Sequence, residues 1–128
     1  MTESQFSSLG ISDEIVRAIT EMGFEAPTEI QEKSIPLVLA GRDVIGRSHT
    51  GTGKTAAFGI PAVERIDPEE EHVQVLVLSP TRELAMQSCQ EIRKFSKYKP
   101  GIKAVPVYGG QPIEKQLFLL KQGANIVI

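Results

Sequence analysis

The eight residues from Ser48 to Thr55 have the composition of a phosphate-binding loop. Gly51 and Gly53 carry no Cβ, so backbone N–H groups in the loop can approach phosphate oxygens. Lys54 can reach the β- and γ-phosphates of a nucleoside triphosphate, and the Thr55 hydroxyl can bind Mg²⁺. This segment therefore predicts a site for a nucleoside triphosphate and its metal ion, with Lys54 and Thr55 as its catalytic residues.

The other residues of the loop complete the predicted nucleotide contacts: Ser48, His49, Thr50 and Thr52. The usual pattern begins with glycine, whereas this chain has Ser48 there. We interpret His49 as solvent-facing rather than catalytic. The alternative is a glycine-rich turn that binds nothing, and the Gly-Lys-Thr triplet between a predicted strand and a predicted helix argues against it.

A second motif runs from Gly23 to Gln31. Thr28 and Gln31 have the spacing of a capping box, in which a hydroxyl and an amide satisfy backbone N–H groups at a helix start. A glutamine amide can also pair with N6–H and N7 of adenine, while a nearby aromatic ring covers the base. From the residues alone, the structural interpretation is favoured over base recognition.

Two further segments could contact a phosphate backbone. Arg82 falls in the first turn of a predicted helix with Thr81 as its N-cap, where the helix dipole disfavours a cation. An anionic partner would explain Arg82, and so would an ion pair with a neighbouring carboxylate. Gly109-Gly110 after a predicted strand is typical of a tight turn, and it also allows a phosphate to approach backbone N–H groups.

Helical and strand patterns alternate along most of the chain, which predicts an α/β fold with a parallel sheet, helices on both faces and right-handed crossovers. Strands are predicted at Val44-Ile45, 73–78, 104–108 and 124–128, and the run 73–78 is apolar enough to be covered on both faces. Helices are predicted at 12–23, 28–40, 54–66, 81–97 and 113–122. Pro36 predicts a kink or an early break, and Pro106 predicts an edge or irregular position.

The 128 residues suffice for one core, and their composition is that of a soluble globular protein. We expect no membrane span and no signal peptide. The single cysteine, Cys89, is interpreted as a packing residue in a reducing, cytoplasmic compartment. Residues 1–32 carry seven acidic side chains and one basic, whereas residues 82–103 carry six basic and two acidic. The basic segment is either an anion-binding surface or a solvated helix face.

Taken together and in this order, these segments resemble the DEAD-box ATP-dependent RNA helicases. Residues 23–31 resemble the Q motif of that family, with Phe6 where its upstream aromatic residue is expected. Residues 48–55 resemble motif I. This motif begins with a small residue in the family, and Ser48 is a small residue at that position. Pro80 to Ala85 resemble motif Ia, and Gly109-Gly110 resemble the glycine doublet.

The resemblance implies a RecA-like P-loop fold and specific roles for these residues. Gln31 would recognise adenine, Phe6 would stack on it, and Thr28 would order the loop against motif I. The phosphate loop would hold ATP and Mg²⁺. RNA would be bound through its backbone, without sequence specificity, by the following residues: Pro80, Thr81, Arg82, Gly109 and Gly110.

The sequence contains neither Asp-Glu-Ala-Asp nor Ser-Ala-Thr. We therefore expect a helical Q-motif region at 1–41 and the first part of the N-terminal RecA-like domain at 42–128, partnered by a second RecA-like domain of a longer chain. The chain alone is expected to bind nucleotide weakly and to hydrolyse none. Two alternatives remain: a P-loop ATPase or kinase that does not act on RNA, and a non-catalytic interaction module.

Overall fold

The computed structural model describes residues 5–48 and 53–128. A 3-10 turn at Ser7–Leu9 precedes five helices and three short strands. The helices are α1 (Asp13–Glu21), α2 (Glu29–Leu39), α3 (Lys54–Arg65), α4 (Arg82–Phe95) and α5 (Ile113–Lys121). The strands are β1 (Val75–Leu76), β2 (Ala104–Val105) and β3 (Ile126–Val127). Within these ranges, no helix has the length and apolar character needed to cross a membrane.

The described strands form one parallel sheet in the order β1-β3-β2. Ile126 of β3 lies opposite Val75 on one side and Ala104 on the other. Successive strands are connected by α4 and α5, as parallel pairing requires. The predicted α/β class with a parallel sheet is confirmed. Among the described strands β2, which precedes Pro106, lies at an edge, one of the two positions predicted for that proline.

One hydrophobic core joins the helices to one face of the sheet. It contains Phe6, Ile15 and Ile35 from the first 41 residues together with Ile60 of α3 and Ile126 of β3. The two ranges predicted as separate regions therefore share their buried apolar surface, which is the main source of folding free energy.

Cys89 lies in this core, where its thiol donates a hydrogen bond to the carbonyl of Ala104 at 3.5 Å. Burial raises the pKa of the Cys89 thiol, because the thiolate is poorly solvated there. The predicted packing role is confirmed.

The predicted strand at Val44-Ile45 is wrong. Residues 42–48 have no strand pairing, and Ile45 is 94% exposed. An apolar run becomes a strand only when a neighbouring strand accepts and donates its backbone hydrogen bonds. None of the three described strands pairs with this segment.

The prediction that the run 73–78 is covered on both faces is also wrong. Val75 and Val77 pack against the core, whereas Leu76 and Leu78 on the other face are mostly exposed, Leu78 by 86%. Among the described strands β1 has a neighbour on one side alone, β3. The described structure therefore buries only part of the apolar side chains of this run.

Pro36 does not break α2, which continues to Leu39. Proline removes one intrahelical hydrogen bond, but the C-terminal turn is still closed by the N–H of Ala40, which donates to the carbonyl of Pro36. The expected early break is wrong.

Cationic side chains close the C-terminal ends of three helices. Arg65 donates to the carbonyl of Val38 at the end of α2, and Lys103 donates to that of Gln122 after α5. Lys99 donates to the carbonyls of Val63 and Glu64 in α3, at 2.8 and 3.1 Å. A cation there adds a charge-assisted donor to carbonyls of the last helical turn and complements the helix dipole. Part of the basic segment 82–103 is thus structural.

Replacement of Lys99 by methionine should lower the free energy of unfolding by about 1 kcal/mol, because the end of α3 loses two charge-assisted donors. Urea denaturation measures this difference. Lys94→Met is the matched control, since Lys94 is exposed and has no ion pair or side-chain hydrogen bond within the described residues. Equal losses in both variants would refute the capping role.

Candidate nucleotide site and nucleic-acid groove

The start of α2 holds the two polar residues that the sequence singled out. Thr28 is the N-cap in extended conformation, and its N–H donates to Oε1 of Gln31 at 3.0 Å. The Thr28 hydroxyl faces the backbone N–H of Gln31, as in a capping box. Its oxygen nevertheless forms no hydrogen bond of acceptable geometry within the described residues. The structural interpretation of this motif is therefore confirmed for the glutamine half.

The same glutamine also contacts the end of the phosphate loop. Nε2 of Gln31 donates to the carbonyl of Gly53 at 3.2 Å, across 22 residues of chain. Gln31 is 2% exposed, so both contacts are shielded from water. One side chain thus fixes the N-terminus of α2 relative to the N-terminus of α3.

Gly53 is the N-cap of α3, with φ of +85°. A Cβ at this position would lie 2.5 Å from the Thr28 hydroxyl oxygen and 2.8 Å from Nε2 of Gln31. The left-handed conformation and the close approach both require glycine. The predicted role of Gly53 is phosphate access. In the structure, Thr28 and Gln31 also occupy the space that a side chain at position 53 would need.

Lys54 and Thr55 form the first turn of α3, with Lys54 exposed and Thr55 half-buried. The first N–H groups of a helix have no intrahelical acceptor and carry the positive end of the dipole, which suits a phosphate. Ser48 ends the irregular segment 42–48 that precedes the loop, and it lines a groove against α2. Four predicted contacts lie outside the described residues: His49, Thr50, Gly51 and Thr52.

A cavity of about 450 Å³ opens between this glutamine and the end of α1. Its size lies within the range of small-molecule sites. Gly23 to Ala26 form one wall, and Thr28, Gln31 and Gly53 form the other. Phe24, the aromatic residue of this wall, was not among the predicted contacts, although its position between a helix-ending glycine and Thr28 was a usable signal.

The expected stacking role of Phe6 does not agree with its position. Phe6 is 1% exposed in the core, so its ring faces are not accessible from the cavity. Its ring packs instead against Phe24, with 6.0 Å between centroids, and Phe24 contacts Phe95 edge-on at 6.1 Å. Phe6 supports the aromatic residue that lines the cavity, because the ring of Phe24 lies against it.

The second candidate site lies at the carboxyl ends of β1 and β2, the edge where ligands of parallel sheets usually bind. Pro80, Thr81, Arg82 and Gly109 line one open groove of about 580 Å³. Thr81 accepts a hydrogen bond from the N–H of Leu84 at 3.2 Å and so begins α4. Arg82 and Gly109, which are 27 positions apart in sequence, thus lie on one surface, as a shared contact with a phosphate backbone requires.

Arg82 lies beside the glycine doublet. A Cβ on Gly110, whose φ is +88°, would lie 3.0 Å from a terminal nitrogen of Arg82. Arg82 also forms an exposed ion pair with Glu83, at 3.5 Å. Such a pair contributes little in water, so it leaves the guanidinium free to exchange partners. Both explanations for Arg82 given by the sequence thus remain compatible with its position.

Comparison with known proteins shows similarity over most of the chain. The family model described as DEAD/DEAH box helicase matches residues 28–128. A DEAD-box ATP-dependent RNA helicase CshA from Geobacillus kaustophilus is 50% identical over 123 residues, which cover 96% of this chain and 26% of that protein. The CshA protein of Streptococcus pneumoniae TIGR4 is 51% identical over 97% of this chain and 24% of its own length. The chain thus spans about a quarter of the length of these relatives.

Solved structures show the same similarity. A DEAD box protein from Methanococcus jannaschii superimposes with a TM-score of 0.90 and 40% identity, over 100% of this chain and 35% of that one. Dbp5 from Saccharomyces cerevisiae, bound to RNA and ADP BeF3, gives a TM-score of 0.81 and 30% identity, over 98% and 32%. These neighbours confirm the predicted RecA-like fold class.

The close approach at Gly53 can be tested with a matched pair of variants. Gly41 has the same φ of +85° but nothing within 4 Å of an added Cβ. Gly41→Ala should therefore lose about 1 kcal/mol of stability, the cost of the left-handed backbone alone. Gly53→Ala should lose at least about 1 kcal/mol more, because its methyl group overlaps Thr28 and Gln31. Equal losses in chemical denaturation would contradict the described contact.

Proposed function

Because the chain belongs to the DEAD/DEAH box helicase family, we propose that it supplies the ATP-binding and part of the RNA-binding surface of an ATP-dependent RNA helicase. The intact protein would couple ATP hydrolysis to local separation of RNA duplexes. The observation that carries the proposal is the contact between Gln31 and Gly53. It joins the segment that resembles a base-recognition motif to the segment that resembles a phosphate loop.

The adenine would enter the cavity bounded by Phe24 and Gln31. The amide oxygen of Gln31 accepts one hydrogen bond, from Thr28, and the amide nitrogen donates one, to Gly53. The amide retains a second N–H and a second lone pair, which match N7 and N6–H of adenine. Thr28 would order the loop, and Phe24 in place of Phe6 would cover the base.

The triphosphate would lie at the N-terminus of α3, against the loop from Ser48 to Gly53. Lys54 would bind the β- and γ-phosphates there, and the hydroxyl of Thr55 would bind Mg²⁺. The metal supplies charge neutralisation on the phosphates when bound. The residues present fit this role, since a hydroxyl and an exposed lysine occupy the first turn of a helix whose N-terminus favours anions.

The RNA backbone would follow the groove lined by Pro80, Thr81, Arg82 and Gly109, with Gly110 beside it. Arginine and glycine backbone N–H groups bind phosphate without reading bases, which fits recognition of RNA regardless of sequence. The similar Dbp5 protein is bound to RNA and ADP BeF3 in its solved structure, which supports the same pairing of ligands here.

Hydrolysis would require more than these residues provide. We propose that a second RecA-like domain completes the site in a cytoplasmic protein, with residues 1–41 as the helical Q-motif region and 42–128 as the first part of the N-terminal RecA-like domain. The 128-residue chain alone would bind nucleotide weakly and show no turnover. Turnover abolished by Lys54→Ala in this chain alone would contradict that expectation.

The role of Gln31 is tested by comparing nucleotides rather than by activity alone. In the intact protein, Gln31→Ala should weaken ATP binding by about tenfold, as expected for loss of base contacts, and reduce the preference for ATP over GTP. Titration calorimetry with ATP, GTP and inorganic tripolyphosphate measures this preference. An equal loss for all three ligands would favour a purely structural capping role.

The RNA groove is tested with Arg82→Ala in the intact protein. Affinity for single-stranded RNA in the presence of ATP should fall by about tenfold, and the slope of log affinity against log salt should fall by about 1. Lys115→Ala, an exposed cation of α5 outside the groove, is the control. RNA binding that is unaffected by Arg82→Ala would instead support a P-loop ATPase acting on another substrate, or an interaction module.

A further inference from the structure

The wall of the cavity begins immediately after the C-terminal end of α1. Glu21 is the last residue of that helix, and Gly23 and Phe24 follow it. The N–H of Gly23 donates to the carbonyl of Thr20, and that of Phe24 donates to the carbonyl of Ile19, both at 3.0 Å. This closing turn makes the position of the wall depend on the position of the end of α1.

The end of α1 is held by a polar cluster, defined as Arg17, Glu21, Lys97 and Tyr98. The Tyr98 hydroxyl donates to Oε1 of Glu21, and Nζ of Lys97 donates to Oε2 at 3.0 Å. The Arg17 guanidinium carbon lies 4.1 Å from the centroid of the Tyr98 ring and stacks on it. The hydrogen bond from Tyr98 is the largest of the effects that lower the pKa of Glu21, and Lys97 adds to it.

The cluster connects α1 to the segment that follows α4. Phe95 of α4 lies under the same wall, in edge-on contact with Phe24. The neighbouring Lys99 is fixed to the end of α3 through the carbonyls of Val63 and Glu64. Residues 95–99 therefore contact both α1 and the helix that begins at the phosphate site.

We propose that Tyr98, through Glu21, is a positioning residue for the base-binding wall at Gly23 and Phe24. The inference rests on the proposed function, since it assumes that the cavity receives adenine. Tyr98 is not part of the cavity lining. It acts by holding the C-terminal end of α1 in position through Glu21. Its loss changes the base-dependent part of nucleotide affinity and leaves the phosphate-dependent part intact.

The test uses Tyr98→Phe, which keeps the ring and its cation contacts, and Glu21→Gln in the intact protein. Calorimetry gives the ratio of the dissociation constant for tripolyphosphate to that for ATP. The ratio should fall by about threefold to tenfold in both variants, the range for one lost intramolecular hydrogen bond, with tripolyphosphate affinity unchanged. Glu70→Gln is the control, because Glu70 is an exposed carboxylate whose side-chain contact, with His72 at 3.5 Å, lies in the loop after α3.

A second measurement separates positioning from general destabilisation. Amide hydrogen exchange of the nucleotide-free variants should be faster across residues 22–28 and unchanged across residues 54–60. A parallel loss of ATP and tripolyphosphate affinity, or an unchanged ratio, would overturn the role of Tyr98 alone. A wild-type protein that binds ATP no more tightly than tripolyphosphate would overturn the proposed adenine site, and this inference with it.

Discussion

The two hydrogen bonds of the Gln31 amide set the relation between the helical N-terminal segment and the rest of the fold. One amide oxygen stabilises the start of α2, and the amide nitrogen holds the carbonyl at the start of α3. Because the side chain is buried, water does not compete for either hydrogen bond. A buried amide atom left without a partner would cost about 1–3 kcal/mol of stability. This close approach requires glycine at position 53, and the same residues form one wall of the cavity. A capping residue and a candidate binding residue are here the same residue.

The second organising constraint is the matching of charges to helix ends. The carboxylate of Glu64 accepts from the N–H of Ser12 before α1, while Arg65, Lys99 and Lys103 donate to carbonyls at the ends of α2, α3 and α5. Every one of these contacts links different elements. The uneven charge along the sequence therefore arises partly from local electrostatic requirements of helices that pack side by side.

The helices were predictable because each has its own local pattern of caps and apolar spacing, as at Ser12, Thr28 and Thr81. The convergence of Arg82 and Gly109 was predictable because carboxyl ends of parallel strands share one edge. The absence of strand pairing at Val44-Ile45 was not predictable, since strand formation depends on a neighbour that the local sequence does not reveal. The same reason explains why Lys99 and Tyr98 were missed: their partners lie 35 and 77 residues away. The burial of Phe6 was missed because the motif gives its position in sequence but not its packing.

Two exposed leucines at the end of β1 bear on how this polypeptide behaves in solution. Leu76 in β1 and Leu78 just after it line a groove together with Val38 and Phe58, at one edge of the described sheet. A strand edge with free backbone groups and an apolar face is a template for pairing with any other extended chain. An edge of this kind favours self-association as the protein concentration rises. Monomeric behaviour at high concentration therefore depends on covering this edge, by a neighbouring strand or by charged substitutions along it.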